Sequence, residues 1–371
     1  MDYLLASPKY EVCTFITKDG FSLVPNNAGV LNKLHCLRFI ENTHILKKNG
    51  IDPKVVTVLT DVSEVKPEDI VIIYNIMGQT NYEAATIMPA FKVLSMLHFH
   101  GRKTENELIE KAGIHCYFNE VDLSKSSDLF NKFYHVERSW IVIPFVFADR
   151  FKNIKPFSER QNKCFSTGTI TYKEHEEFLS VYGDPCDQPA RKFVKDNPEF
   201  FKDTVDCYSS DYLEDNAGKK YKEGENKLIR LYKKFYNVTH VGKQKKYFSF
   251  NMVEKFNEYK MHLVGEEILG VPGIGFVEGM ACGSAYIGLD SPMYRDYGLI
   301  PGVHYIAYDG TKEGLRTIVE HYQKPEHQAE LERIAKAGCE FVRENFYGPK
   351  VAEKLMERLK AEKEKRIKEN D

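Results

Sequence analysis

The sequence predicts an α/β protein with two doubly wound parallel sheets, each covered by helices on both faces. At 371 residues the chain is long for a single core, so two domains are expected. Short β-rich runs alternate with helical patterns over the first 150 residues, which is typical of a parallel sheet. A charged stretch interrupts this order, and a new strand pattern opens at Lys163.

The first half, 1–150, is predicted as one Rossmann-like domain. Its strands contain few polar residues, as expected for strands that are buried on both faces. A Gly/Asn loop leads into a helix within 25–50, and a second helix at 104–113 begins with a capping box formed by Thr104 and Glu107. The strand-like runs are 10–17, 54–60, 69–75, 90–101, 114–119 and 140–147.

The second half is predicted as another Rossmann-like domain, 163–340, joined to the first by a linker at 151–162. The linker is charged and contains Pro156. Strands are predicted at 163–170, 260–267, 284–289 and 304–309, with a mainly helical stretch at 171–246 and a helix at 311–323. We expect the C-terminal helix, 341–371, to pack back on the first domain, although its even mixture of charges is also typical of a solvated, fraying helix.

Composition excludes several classes of protein. The net charge of −2 gives no sign of a nucleic-acid-binding protein, and no apolar run is long enough to span a membrane. The N-terminus lacks the pattern of a signal peptide. Eight scattered cysteines without a CxxC pair indicate reduced thiols and a cytoplasmic location. No D-x-D ends a strand and no His/Cys cluster has ligand spacing, so neither a metal nor a cofactor is expected.

The stretch "GFVEGMACGSAYIG", 275–288, places Glu278 among small and apolar residues. The pattern predicts a short helix that Glu278 opens and Gly283 closes. A carboxylate is favoured at a helix N-terminus and can accept hydrogen bonds from two vicinal hydroxyls, such as those of a ribose. Gly279 and Gly283 would leave space for a nucleotide. The alternative is that Glu278 only caps its helix.

The run "FVEGMACGSAYIGLD" and the following "GVHYIAYDGTKEGLRTIVEHYQ" resemble the C-terminal domain of GT-B glycosyltransferases. The resemblance is closest to the retaining group 1 (family 4-like) enzymes and their CgeB-like relatives, and it covers roughly residues 255–350. It implies two Rossmann-like domains facing each other across a cleft. The implied reaction transfers a sugar from a nucleotide-diphosphate-sugar donor to a hydroxyl of a glycan, lipid-linked glycan or protein.

This resemblance assigns the donor ribose to Glu278. The retaining enzymes usually carry a further Glu eight residues earlier, and this chain has Gly270 there. The nearest acids are Glu266 and Glu267, and a change in the loop could let Glu267 substitute. Retention or inversion of the anomeric configuration therefore stays open.

The same resemblance indicates residues for the donor diphosphate. Ser166, Thr167, Gly168 and Thr169 follow the first strand of the second domain, where the family has its phosphate-side loop. Tyr259 and Lys260 match a Tyr and Lys that precede the strand before the ribose loop, and Lys173 and Arg191 are further cationic candidates. An ordinary turn and surface lysines are the alternatives.

Acceptor-side residues are expected in the first domain. "VLSMLHFHG" resembles the family strand that ends in histidine and lines the acceptor cleft, which makes His98 and His100 the candidate catalytic residues. Asn27 and Gly29 occupy the place of the Gly-rich first loop. Two polar residues at a strand end are the alternative for the histidines.

The expected partners are a nucleotide-sugar donor, with UDP or GDP as its nucleotide, and a glycan or lipid-linked acceptor, as in polysaccharide biosynthesis. No nucleic acid and no transmembrane segment are expected, and contact with a membrane surface is compatible with the sequence. Two alternatives stay open. One is a non-catalytic sugar- or nucleotide-binding protein on the same fold, and the other is a GT-B nucleotide-sugar epimerase.

Overall fold

The computed structural model describes residues 67, 69–74, 82–96, 105–211, 226–236 and 250–370. They group into two compact units. The first contains the described residues up to Ser124, Asp128–Pro144 and the C-terminal segment from Gly348, and the second contains Lys125–Ser127 and Phe145–Tyr347. The elements predicted at 10–17, 25–50 and 54–60 lie outside the described residues.

The first unit contains a four-stranded parallel sheet. Its strands are β1 Ile70–Tyr74, β2 Phe91–Ser95, β3 Cys116–Asn119 and β4 Ser139–Val142, paired in that order. Every residue of β2 is buried, including the polar residues Lys92 and Ser95. The strand predicted at 140–147 ends early because Pro144 has no N–H to continue the ladder. The helices along this part of the chain are α1 Tyr82–Ile87, α2 Glu105–Lys111, α3 Leu123–Ser126 and α4 Asp128–Phe133.

The second unit contains a five-stranded parallel sheet and a small two-stranded one. The strands in chain order are β5 Gln161–Ser166, β6 Thr169–Ile170, β7 Val205–Cys207, β8 Ser210–Asp211, β9 Tyr259–Leu263, β10 Ala285–Leu289 and β11 Ile306–Tyr308. The large sheet has the order β11-β10-β9-β5-β7, and β6 pairs with β8. β7 and β8 lie in the stretch predicted as mainly helical, because strands of two or three residues leave no readable alternation.

The remaining helices follow in chain order. They are α5 Glu176–Tyr182, α6 Pro189–Asp196, α7 Pro198–Phe201, α8 Lys227–Tyr236, α9 Met252–Glu258, α10 Gly275–Ala281, α11 Pro292–Arg295, α12 Lys312–Gln323, α13 Gln328–Asn345 and α14 Gly348–Asn370. Thr311 caps α12 by accepting a hydrogen bond from the Gly314 N–H. The core between sheet and helices includes Val194, Leu263, Ile287, Val319 and Ile334.

The charged segment 149–162, which includes the predicted linker 151–162, belongs to the second unit, and its buried residues are Phe151 and Arg160. Arg160 is 4% exposed, and its guanidinium donates to the Cys282 carbonyl (2.8 Å), Asn153 Oδ1 (2.7 Å) and Asn257 Oδ1 (3.1 Å). Burial lowers the pKa of Arg160. Asp149, Lys152 and Glu159 are exposed, as their charge suggests. Arg160 is buried because fixed acceptors satisfy its guanidinium.

The C-terminal helix α14 belongs to the first unit. Val351, Leu355 and Leu359 are buried at a spacing of four residues, so they form one helix face. Ser139 Oγ donates to Glu362 Oε1 (2.5 Å), and Arg358 donates to the Val142 carbonyl, which joins the helix to β4. Among the described residues, no helix has the length and apolar content needed to cross a membrane.

Candidate functional site

The strand order of the second unit has a switch point between β5 and β9. From β5 the chain first adds β7 on one side, and the later strands β9, β10 and β11 then extend the sheet on the other side. In open parallel sheets, ligands bind beyond the carboxyl ends of the strands at such a point. The loops after β5 and β9 therefore form the candidate site.

The loop after β5 contains the sequence-predicted residues Ser166 to Thr169. Ser166 is fully buried, and the Thr167 N–H donates to the Leu263 carbonyl at the end of β9 (3.1 Å). Gly168 has φ +128, a value that favours glycine. Two buried hydroxyl oxygens near this loop, Thr167 Oγ1 and Ser210 Oγ, have no hydrogen-bond partner among the described residues. Buried polar groups normally have partners, so these hydroxyls indicate a place for ligand or water.

Arg191, on α6, joins the two loops. Its guanidinium donates to the carbonyls of Thr169 (Nη1, 2.6 Å), Gly265 (Nη2, 3.2 Å) and Val264 (Nε). A Cβ at Gly168 would lie 2.6 Å from Arg191 Cζ, and one at Gly273 would lie 2.8 Å from Nη2. Glycines line this position because the guanidinium occupies the space that side chains would take. Arg191 is only 8% exposed, so it places a fixed positive charge at the switch point.

A group of charged residues lies beside Arg191. Lys173 Nζ is 2.8 Å from Asp187 Oδ2, and the other carboxylate oxygen of Asp187 is buried without a hydrogen-bond partner among the described residues. Burial and the nearby Asp187 charge raise the pKa of Glu267 to about 7, against the opposing effects of Lys173 and Arg191. A carboxyl group that titrates near neutral pH in a ligand crevice is typical of functional sites.

Glu267 also occupies the turn that contains Gly270, the position at which the resemblance to retaining glycosyltransferases predicts an acid. The Gly270 N–H donates to the Glu267 carbonyl (2.9 Å), and Gly270 has φ +80, which disfavours any residue with a side chain. Glu266 is not available as a substitute. It is 4% exposed, and its Oε1 accepts from the Tyr294 hydroxyl (2.6 Å) and the Leu289 N–H (2.9 Å).

The raised pKa predicts that Glu267→Gln will stabilise the protein at alkaline pH. The folded state keeps its proton up to about pH 7, whereas the unfolded chain loses it near the ordinary value of 4.5, so stability falls as pH rises between these values. Gln removes that loss. Urea denaturation should show a gain of about 1–3 kcal/mol at pH 8 and a much smaller one at pH 5. A Glu267→Gln variant that is less stable than the wild type at pH 8 would contradict this prediction. It would show that the attraction of the ionised Glu267 carboxylate to Lys173 and Arg191 outweighs the cost of burying its charge.

Glu278 lies in the first turn of α10, as the sequence predicts, but it does not cap the helix. The N-cap residue is Ile274, and no side chain caps this end. Glu278 is partly buried, and burial raises its pKa against the opposing charge of Arg150. No hydrogen bond to its carboxylate is found among the described residues. A partly desolvated carboxylate that neither caps nor pairs is suited to accept hydrogen bonds from a ligand.

The glycines around Glu278 do not leave open space, contrary to the expectation from sequence. A Cβ at Gly279 would lie 2.3 Å from His262 Nε2, and one at Gly283 would lie 2.5 Å from Asn153 Nδ2. His262 is fully buried beneath α10, and burial lowers its pKa to about 3, so the ring is neutral at pH 7. These glycines allow close packing of α10 on its own unit.

We therefore expect Gly279→Ala to destabilise the protein by about 1–3 kcal/mol, the usual cost of overpacking. The clash with His262 outweighs the gain of about 1 kcal/mol that Ala normally brings to a helix. Gly348→Ala in α14 is the matched control, because no atom lies within 4 Å of its added Cβ. Urea denaturation should show a loss for Gly279→Ala and no loss for Gly348→Ala. Equal stability of the two variants would contradict the packing role.

Strand register separates Tyr259 and Lys260 from this site. Tyr259 pairs with Gln161 at the start of β5, whereas Leu263 pairs with Ser166 at its end, about 13 Å further along. The Tyr259 hydroxyl donates to Asp206 Oδ2 (2.8 Å), and Lys260 Nζ donates to Gln328 Oε1 (2.5 Å). Both residues lie at the amino end of the sheet, so the diphosphate role expected for them is not supported. The candidates His98, His100, Asn27 and Gly29 lie outside the described residues.

One group of residues of the types that bind metal ions was not predicted from the sequence. Its sequence pattern is H-x5-H-x2-E. Ligand atoms of His321, His327 and Glu330 lie within 4.8 Å of one another. The imidazole rings stack with centroids 3.7 Å apart and planes 26° from parallel. Because ring-nitrogen lone pairs lie in the ring planes, near-parallel rings do not direct them to a common ion. As placed, the cluster is a stacked histidine pair at the end of α12.

No protein-family model matches the chain, and no curated protein matches it either. Several solved structures are similar at low identity. The pneumococcal O-GlcNAc transferase GtfA, solved with UDP and GlcNAc, is 14% identical with a TM-score of 0.42, covering 81% of this chain and 58% of that one. The chain thus spans just over half the length of GtfA. Anabaena HepE with UDP-glucose is 14% identical (TM-score 0.49, 78% of each chain). A Rickettsia africae glycosyltransferase is 12% identical (TM-score 0.47, 87% of this chain and 80% of that one).

Proposed function

We propose that the protein is a glycosyltransferase of the group 1 or CgeB-like kind, which transfers a sugar from a nucleotide-diphosphate donor to a hydroxyl acceptor. The observation that carries the proposal is the switch point of the second unit. There, a glycine-lined loop braced by Arg191 lies beside the loop that leads to α10, whose Glu278 carboxylate has no capping role. Phosphates suit the glycine-lined loop, and ribose hydroxyls suit the Glu278 carboxylate.

In this proposal the donor diphosphate lies over the loop Ser166–Thr169. Thr167 and the neighbouring Ser210 offer buried hydroxyls. Arg191 does not need to contact the phosphates directly, because its donors are directed at loop carbonyls. Its charge stabilises the negative charge that develops on the leaving diphosphate, whereas the charge of Lys173 is paired with Asp187. This contribution grows as water is excluded, because the local dielectric then falls.

Glu278 accepts hydrogen bonds from the ribose hydroxyls, and Glu267 lies on the turn next to the transferred sugar. With a pKa of about 7, Glu267 can donate or accept a hydrogen bond to a sugar hydroxyl near neutral pH. We infer that it takes the place of the acid that Gly270 replaces. The acceptor is a hydroxyl of a glycan, lipid-linked glycan or protein, and its activation is assigned to His98 or His100.

The experiment is incubation of the full chain with UDP- and GDP-linked sugars, with and without simple sugar acceptors. A glycosyltransferase releases nucleoside diphosphate and transfers or hydrolyses the sugar. A nucleotide-sugar epimerase instead yields an epimer or the free altered sugar. Nucleotide binding without turnover of any donor supports the non-catalytic alternative, which the Gly at position 270 favours. Absence of both nucleotide binding and turnover would overturn the assignment of the site.

A further inference from the structure

A cavity of about 550 Å³ lies in the first unit, and all of its lining residues belong to that unit. Its volume falls within the range of about 300–1,000 Å³ that is usual for ligand pockets. Tyr117, Phe130, Tyr134 and Trp140 contribute aromatic rings to the lining, and polar and charged side chains complete it. This combination of aromatic and polar groups is typical of a pocket that binds a small molecule.

Trp140, the single tryptophan of the chain, lines the cavity from β4. Tyr117 and Trp140 are register partners in β3 and β4, so their side chains lie on the same face of the sheet. The centroid of the Trp140 ring is 4.9 Å from that of Tyr117 and 5.2 Å from that of Phe130 in α4. Ser139, the preceding residue, donates to Glu362 of α14. Because side chains alternate along a strand, α14 lies on the opposite face from Trp140.

This packing covers only part of Trp140. Tyr117 is 1% exposed and Phe130 is 5% exposed, whereas Trp140 stays partly exposed. The described sheet ends at β4, so no described strand continues it beyond Trp140. The indole N–H of Trp140 donates to no described residue. A partly exposed indole with an unused N–H offers a ligand both an apolar surface and a hydrogen-bond donor.

Polar groups at the cavity have hydrogen-bonding capacity of both kinds left over. Arg138 donates to the carbonyls of Ile114 (Nε, 2.6 Å) and Glu137 (Nη1, 2.7 Å), which leaves Nη2 as a donor. Asn131 Nδ2 donates to the Ser124 carbonyl (3.1 Å), which leaves Oδ1 as an acceptor. The Glu137 carboxylate is exposed and accepts from no described residue. Such a mixture of donors and acceptors matches hydroxyl groups, which both donate and accept.

We propose that this cavity binds a neutral oligosaccharide, with one sugar ring packed on Trp140. A pyranose ring has apolar C–H faces and a rim of hydroxyl groups. The indole suits a C–H face, and Asn131, Glu137 and Arg138 suit the hydroxyls. Charge disfavours a phosphorylated ligand, because the Glu137 carboxylate offsets the Arg138 guanidinium and repels phosphate.

The cavity is separate from the residues proposed for glycosyl transfer. Those that bind the donor belong to the second unit. The predicted catalytic residues His98 and His100 follow the carboxyl end of β2 in the sequence, whereas Arg138 precedes β4 and Trp140 is its second residue. Oligosaccharide binding in the cavity therefore does not depend on the proposed transfer, and the two can be tested separately.

The single tryptophan reports directly on this cavity. The intrinsic fluorescence of the full chain is measured without nucleotide, as neutral trisaccharides of glucose, galactose, mannose and N-acetylglucosamine are added in turn. At least one of these trisaccharides should change the Trp140 emission in a saturable way. Inorganic phosphate, the comparison ligand, should leave the emission unchanged.

Isothermal titration with the trisaccharide that binds then measures the variants. Trp140→Leu should weaken its affinity by about tenfold, because Leu lacks the ring face and the N–H. Glu137→Ala should weaken it by about five- to tenfold, which corresponds to the loss of one hydrogen bond. Glu357→Ala is the matched control, since Glu357 is an exposed acid of α14 in the same unit, and it should bind like the wild type.

Thermal melts show which variants fold. Glu137 is exposed and its carboxylate makes no described hydrogen bond, so its variant tests the proposal even if Trp140→Leu does not fold. Trp140 emission that no trisaccharide changes would overturn the proposal. Wild-type affinity in Glu137→Ala and in folded Trp140→Leu would also overturn it, because the sugar would then bind elsewhere. A response to inorganic phosphate alone would assign the cavity to an anion instead.

Discussion

Replacing Glu278 with Gln should weaken binding of UDP or GDP by about 10- to 100-fold and leave the stability of the protein unchanged or slightly higher. Hydrogen bonds from hydroxyls to a charged carboxylate contribute about 1.5–3 kcal/mol, and each 1.4 kcal/mol is a factor of ten in affinity. Burial raises the pKa of Glu278, so the folded state resists its ionisation. The ionised carboxylate therefore costs stability above its folded pKa, and Gln removes that cost.

Isothermal titration with each nucleoside diphosphate, run beside thermal melts at pH 8, measures both effects. Glu313→Gln is the matched control, because Glu313 is an exposed acid in the first turn of α12. It should bind nucleotide like the wild type. A Glu278→Gln variant that keeps its nucleotide affinity but loses stability would show a purely structural carboxylate, and the ribose assignment would fail.

Replacing Arg191 with Met should lower the free energy of unfolding by about 3–5 kcal/mol and abolish nucleotide binding. The guanidinium supplies donors to three loop carbonyls, and each buried acceptor left without a donor costs about 1–3 kcal/mol. Met fills part of the volume but offers no donor. The loops after β5 and β9 would lose the group that joins them, and the switch point would lose its fixed positive charge.

Urea denaturation at pH 7 measures the loss, with Arg316→Met as control. Arg316 is partly exposed, pairs with Glu320 within α12 (2.6 Å) and lies over the Phe200 ring, so its removal should cost less than about 1 kcal/mol. Arg191→Lys keeps the charge but cannot reach three carbonyls with one ammonium group, and it should fall between wild type and Met. Nearly equal stability of the Arg191→Met and Arg316→Met variants would contradict the joining role.

Much of the fold can be predicted from the sequence because strand and helix patterns depend on residues that are close together in the chain. The run 284–289 predicts β10, which covers Ala285–Leu289, since consecutive apolar residues fit a strand buried on both faces. The helix predicted at 311–323 is observed at Lys312–Gln323, with Thr311 as its cap. Glu278 is found in the first turn of its helix, as the pattern of 275–288 predicts.

The residues that form the candidate site could be predicted only in part from the sequence. Ser166–Thr169 were expected at the end of a strand, and the strand order places them at the switch point. Tyr259 and Lys260 were expected at the same site, yet the pairing of Tyr259 with Gln161 places them at the other end of the sheet. Sequence pattern predicts that a strand exists, but its ends and register depend on partners that are distant in the chain.

The sequence by itself determined the class of fold, the order of most described strands, and the acid in the first turn of α10. Hydrophobic periodicity and helix-capping signals depend on residues close together in the sequence, so they can be recognised without knowing the tertiary contacts. Tertiary structure alone decided that Arg191 joins residues near 168, 265 and 273, and that Arg160 is buried. Both outcomes depend on carbonyls brought together from separate segments, and no local pattern specifies which distant acceptors a guanidinium will meet.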